Sequence, residues 1–217
     1  MAYGSAMARV PSLCGVILAA GGSTRMGSDK ALLPWPPNTA GGTFLSAAIQ
    51  ALSPFTDLVL VVAGKNELNL TPIVDANGAF LIPNPAPERG QFSSLQCGLH
   101  EVLNRGRDAA MVTLVDRPPA EAATLDHLRS EFYSVVSAGN WALVPEYLGK
   151  HGHPILIGRE MIEAFLKAAP DATARDIQHQ HQDRIQYFAV NDSFVAVNVD
   201  TPEDYSKLKS EPAQSRS

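Results

Sequence analysis

The chain has 217 residues, of which 45% are apolar and 18% charged, and its formal net charge is −5. That length fits one large domain better than two small ones, buries a sizeable core without disulfide or metal staples, and is too apolar to remain disordered. The mild acidity argues against broad nucleic-acid or anionic-membrane surfaces, while leaving room for a local basic pocket that holds phosphate.

Residues 1–11 read as a loose leader. The apolar run at 16–20 (VILAA) is too short to span a bilayer or to form a secretory signal core, so the cytoplasm is the expected compartment. It stops at Gly21 and Gly22, as a strand buried on both faces does. Phe44, Leu45, Ala48, Ile49 and Leu52 then fall on one helical face. A second run at 58–62 ends at Ala63-Gly64, and a third at 79–82 ends at Pro83-Asn84-Pro85. Phe92, Leu95, Leu99, Val102 and Leu103 again share a helical face. A fourth run at 110–115 ends at Asp116 and Pro118-Pro119, and Leu125, Leu128 and Phe132 mark the helix after it. A fifth run at 141–144 is expected to stop at Pro145.

Residues 144–157 break this rhythm with Gly149, His151, Gly152, His153 and Pro154. They read as a hairpin or excursion that walls a second substrate. Residues 184–199 supply one or two late strands. Thr201 suits an N-cap, with Pro202 at the first helical position and Glu203 and Asp204 in the first turn. Residues 211–217 form a polar tail. The alternation predicts one α/β domain over 12–210, Rossmann-like and three-layered, with a mostly parallel sheet and a small antiparallel excursion. Cys14 and Cys97 read as inert core thiols, and their spacing does not suggest zinc.

In open α/β sheets, ligands bind beyond the carboxyl ends of the strands. Three such ends carry unusual polar chemistry here: residues 21–30, Asp116, and residues 198–200. Gly21 and Gly22 let backbone amides approach an anion. Arg25 can fork onto phosphate oxygens, and Lys30 is a point charge suited to a phosphoryl group. The loop is neither a Walker P-loop nor a dinucleotide fingerprint, because its glycines and lysine are spaced for neither.

The stretch at 15–33, GVILAAGGSTRMGSDKALL, resembles the signature of the MobA-like nucleotidyltransferases, and within them the molybdenum cofactor cytidylyltransferases. Asn84 with GQFSSLQCGL at 90–99, LVDRP at 114–118, GHP at 152–154 and NVDTPED at 198–204 resemble later motifs of that family, in order. Two departures stand out. Arg117 occupies a position where the family usually has glutamine or a similar polar residue, and residues 170–175 lack the family's glycines. The resemblance implies the nucleotide-diphospho-sugar transferase type of fold and a nucleoside triphosphate, CTP favoured, as substrate. It assigns Leu18, Ala19, Ala20, Gly21, Gly22, Ser23, Arg25, Lys30, Asn84, Ser94 and Gly98 to the nucleotide. His153 and Asn198 go to the acceptor.

Attack at an α-phosphorus needs charge neutralisation and alignment more than covalent help. Asp116 can hold Mg²⁺, with Asp200 or Asn198 completing the clamp. Arg25, Lys30 and Asp116 are the candidate catalytic residues. Blander readings stay open: Asp116 as the cap of the next helix, Asp200 as a turn acid, Ser93 and Ser94 as N-caps. His151, His179 and His181 read as solvated residues, not ligands. The implied reaction moves CMP onto a phosphorylated acceptor, with molybdopterin favoured. Methylerythritol-phosphate or sugar-phosphate transfer is one alternative, and a non-catalytic cofactor-binding chaperone is another. The implied partners are small molecules and a molybdoenzyme or its chaperone, with no nucleic acid and no membrane. The chain is read as a monomer or homodimer.

Overall fold

The computed structural model describes residues 11–21, 28–37, 41–169 and 171–210. In chain order these form β1 (Leu13–Leu18), α1 (Phe44–Leu52), β2 (Leu58–Ala63), α2 (Glu67–Ala76), β3 (Phe80–Pro83), α3 (Gln91–Asn104) and β4 (Ala109–Leu114). There follow α4 (Ala122–Ser137), β5 (Ala142–Tyr147), β6 (Lys150–His151), β7 (Ile155–Gly158), α5 (Arg159–Lys167), α6 (Ala174–Gln180), β8 (Ile185–Ala189) and α7 (Pro202–Ser210). The described strands make one sheet in the order β3-β2-β1-β4-β7-β5-β6, with β8 beside β5.

Apolar runs become strands here because each faces two cores. Along β1, Leu13 and Ile17 enter one core, while Cys14, Val16 and Leu18 enter the other. Residues of β2 and β4 alternate in the same way. Helices α1, α2 and α4 cover the first face and α3, α5 and α6 the second, giving three layers. Burial pushes the Cys14 thiol up to about 12, so the buried sulfur is inert, and Cys97 shifts in the same direction.

β1 pairs in parallel with both β2 and β4, so the chain leaves β1 towards one edge and returns on its other side at β4. That reversal opens a crevice beyond the carboxyl ends of β1 and β4. The antiparallel excursion is β7, which lies between β4 and β5 and runs against both. Two expectations need correction. Pro145 does not end β5: the strand continues through it, and the Pro145 carbonyl accepts from Gly152 N at 2.8 Å. Helix α2 was not expected, because it buries only Leu70 and Val74 and carries Pro72.

A third apolar cluster fixes the C-terminal segment. Trp35, Phe44, Val199 and Tyr205 pack together, and Tyr205 Oη donates to Pro34 O at 2.7 Å. Thr201 and Asp204 form a capping box at the start of α7: Asp204 N donates to Thr201 Oγ1, and Thr201 N to Asp204 Oδ2. Val199 N also donates to Asp116 O at 2.9 Å, which lays residues 198–200 beside the end of β4. Among the described residues no helix is long and apolar enough to cross a membrane.

Candidate active site

The return of the first loop is anchored before Lys30. Asp29 caps the short 3-10 helix Lys30–Leu32 by accepting from Ala31 N at 3.0 Å. Its other oxygen accepts from Asn66 Nδ2 at 2.7 Å, and Asn66 also donates to Ala19 O at 2.9 Å. Asn66 thus ties the loop's end to the end of β1. Sequence reasoning missed this pair; an Asn two residues beyond the Gly64 that ends β2 was the signal available.

Lys30 Nζ lies 3.1 Å from Asp116 Oδ2 and 2.9 Å from Asp200 Oδ1. The lysine side chain is 12% exposed, against 23% for Asp116 and 37% for Asp200. One ammonium between two carboxylates leaves the trio net negative in a partly desolvated place, where charge interactions strengthen. Asp116 Oδ1 is buried without a partner. A buried acceptor with no donor calls for a ligand, and hard carboxylate oxygens suit Mg²⁺, which fills its remaining positions with water and phosphate oxygens. Asp116 caps no helix, since α4 begins at Ala122 behind Glu121. Asn198 Nδ2 donates to Asp200 Oδ2, orienting that carboxylate.

The first turn of α3 lines the same cavity. Gly90 is its N-cap residue, so Ser93 and Ser94 lie inside the helix and are not caps. Asn84 is buried and donates to both Ser93 Oγ and Ser94 Oγ at 2.9 Å, while its Oδ1 accepts from Ala86 N. Its amide is thus spent on fastening the loop after β3 to α3, and Ser94 is the member of the group that reaches the cavity. Gly98 sits elsewhere. A Cβ there would meet Val16 Cγ1 at 2.8 Å and Val62 Cγ2 at 3.0 Å, so this glycine lets α3 lie close on the sheet. Gly98 packs the helix and does not line the cavity.

The cavity holds about 610 Å³, within the range that accommodates small-molecule ligands. Leu18, Ala20 and Gly21 reach it from the end of β1, and Lys30, Asp116, Asn198 and Asp200 from the loops described above. Pro87, Gln91 and Arg117 also line it and were not among the predicted site residues. Ala19 continues β1 and donates to Val62 O without lining the cavity. Gly22, Ser23 and Arg25 lie outside the described residues.

His153 is half-buried and does not line the cavity. Its backbone N donates to Val195 O at 2.9 Å, and its Nδ1 is buried without a partner. Burial, helped by nearby Arg117, pushes its pKa down to about 3, so the ring is neutral. His151 is exposed and stacks on Tyr187 at 4.1 Å, and His181 lies against Trp141 at 4.8 Å. Among the described residues no group of three or more His, Cys, Asp or Glu is placed to hold a metal. Any ion at the Asp116–Asp200 pair would therefore depend on its other ligand, a nucleotide.

The family model for the MobA-like NTP transferase domain matches residues 15–185. Among curated relatives, the purine catabolism protein PucB of Bacillus subtilis is 29% identical, covering 93% of this chain and 98% of its own. The molybdenum cofactor cytidylyltransferase of Escherichia coli K12 is 26% identical over 89% of this chain and 94% of its own. The molybdenum cofactor guanylyltransferase of Xanthomonas euvesicatoria is 30% identical over 89% and 93%. Among solved structures, Rv0371c of Mycobacterium tuberculosis superposes with a TM-score of 0.74 at 26% identity, over 92% of this chain and 97% of its own.

Proposed function

Since the chain belongs to the MobA-like NTP transferase family and is a nucleotidyltransferase, we propose that it moves CMP from CTP onto the phosphate of molybdopterin cofactor and releases pyrophosphate. The observation that carries this is Lys30 joining Asp116 and Asp200 in a cavity that the first turn of α3 also lines. In this reading Lys30 turns from the carboxylates to the triphosphate and neutralises charge on the departing pyrophosphate. Asp116 and Asp200 would hold Mg²⁺, which supplies Lewis-acid neutralisation of the phosphate oxygens when bound. The α3 N-terminus offers Ser94 and free backbone amides to the nucleotide. Asn84 keeps that turn in place.

The preference for cytosine rests on Ala20, where guanylyl relatives tend to carry glycine. Ala20 lines the cavity. The acceptor rests on relatives named for molybdenum cofactor chemistry. The test is pyrophosphate release with each of the four ribonucleoside triphosphates, offered with molybdopterin cofactor or with methylerythritol phosphate. CTP with molybdopterin is expected to turn over fastest. Faster turnover with GTP would move the base assignment, and turnover only with methylerythritol phosphate would overturn the acceptor.

A further inference from the structure

Four charged side chains line the cavity among the described residues: Lys30, Asp116, Asp200 and Arg117. The first three are tied to one another. Arg117 stands apart. Its Nη1 donates to Val195 O at 3.2 Å and to Val197 O at 3.5 Å, its Nε is buried without a partner, and among the described residues no carboxylate forms an ion pair with it. A largely buried cation facing neutral carbonyls costs free energy that an anion would recover.

The guanidinium is also held firmly. Val195 O accepts from both Arg117 Nη1 and His153 N. Gly152 packs so closely there that a Cβ would lie 2.4 Å from that same carbonyl oxygen. His153, kept neutral, adds no competing charge. Arg117 follows β4, and its guanidinium is therefore fixed against the carbonyls of residues 195 and 197, beside the turn at Gly152 and His153. The nucleotide wall is built by β1 and α3.

We propose that Arg117 receives the phosphate of the second substrate within the cavity that holds the nucleotide. This rests on the transferase reading above. In the transfer an oxygen of the acceptor phosphate bonds to the α-phosphorus, the bond from that phosphorus to the β-phosphate's bridging oxygen breaks, and pyrophosphate leaves with the electron pair. The acceptor phosphate reacts as its dianion, so no proton need be removed. Nucleophile and leaving group lie roughly in line on opposite sides of the phosphorus. With Lys30 on the leaving group, the cation for the nucleophile must come from elsewhere, and a guanidinium fork matches a phosphate's oxygens.

The test titrates inorganic phosphate into protein saturated with Mg²⁺ and a non-hydrolysable CTP analogue. Wild type, Arg117→Gln and Arg117→Lys are compared by calorimetry, and the wild-type Arg117 Nε–H resonance is followed by nitrogen-15 NMR. We expect that resonance to shift on phosphate binding, and Arg117→Gln to weaken phosphate by about tenfold or more, Arg117→Lys by less. CTP-analogue affinity should stay within about twofold in both variants, which also reports an intact fold. Equal phosphate affinity in Arg117→Gln, or an unmoved wild-type resonance, overturns the proposal while the transferase reading stands. Should a variant fail to fold, the wild-type resonance decides. Failure of the non-hydrolysable analogues of all four ribonucleoside triphosphates to bind wild type overturns the transferase reading, and this proposal with it.

Discussion

Lys30 Nζ and Asp200 Oδ1 lie 2.9 Å apart although 170 residues separate them in sequence. The contact exists because Asp29 and Asn66 fix the loop on one side, while Val199 and Tyr205 pack the C-terminal segment on the other.

Removing the lysine ammonium should damage both catalysis and local electrostatics. Lys30→Ala is expected to lower kcat by about 10²–10³, the usual cost of one preorganised charge-stabilising group. It also leaves Asp116 and Asp200 facing each other uncompensated. Millimolar Mg²⁺ should then raise the melting temperature of Lys30→Ala more than that of wild type. A smaller rise in the variant would place the ion elsewhere.

Asp116→Ala should abolish turnover and leave metal-free nucleotide affinity within about threefold of wild type, because its role is to hold a cation. Steady-state kinetics and metal-free calorimetry separate the two effects. Undiminished turnover would favour a binding protein or another metal ligand.

Gly98→Val should act on stability and not on the nucleotide. The added side chain meets Val16 and Val62 beneath α3. Overpacking of this kind costs about 1–3 kcal/mol, with a β-branched penalty in a helix besides. Denaturant melts should show that loss while the KM for CTP stays put. A changed KM with unchanged stability would return Gly98 to the nucleotide site.

His153 makes stability depend on pH. Its folded pKa is depressed to about 3, below the usual 6.5, so between those values the unfolded chain binds a proton that the native chain does not. This contribution is fully present above pH 6.5 and is lost as pH falls towards 3. At pH 5 the loss is about 2 kcal/mol, enough to lower the melting temperature by several degrees. His153→Gln should flatten that part of the stability–pH curve. An equal slope in the variant would show that His153 titrates normally.

The strands were legible because β1, β2 and β4 face two cores, and burial on both faces writes a continuous apolar run into the sequence. The place of β7 was not, because the pattern at 155–158 does not say that the chain doubles back between β4 and β5. Helix α2 was hidden by its few buried positions and its proline. At the site, Lys30, Asp116, Asn198 and Asp200 could be picked out as polar residues at strand ends, and the structure brings these four together. The motif at 90–99 mixes two purposes: Ser94 reaches the cavity and Gly98 packs the helix, and residue type alone did not divide them. Arg117 stood out only as a departure from the family pattern. Its partial burial and its unpartnered Nε are three-dimensional facts.

The account stands on the Asp116–Asp200 pair and Lys30 serving one metal-bound triphosphate. The direct measurement is calorimetric binding of a non-hydrolysable CTP analogue, with and without Mg²⁺, to wild type and to the double variant Asp116→Asn/Asp200→Asn. The account predicts that Mg²⁺ tightens binding about tenfold or more in wild type and has no such effect in the double variant. The same Mg²⁺ enhancement in both proteins would contradict it.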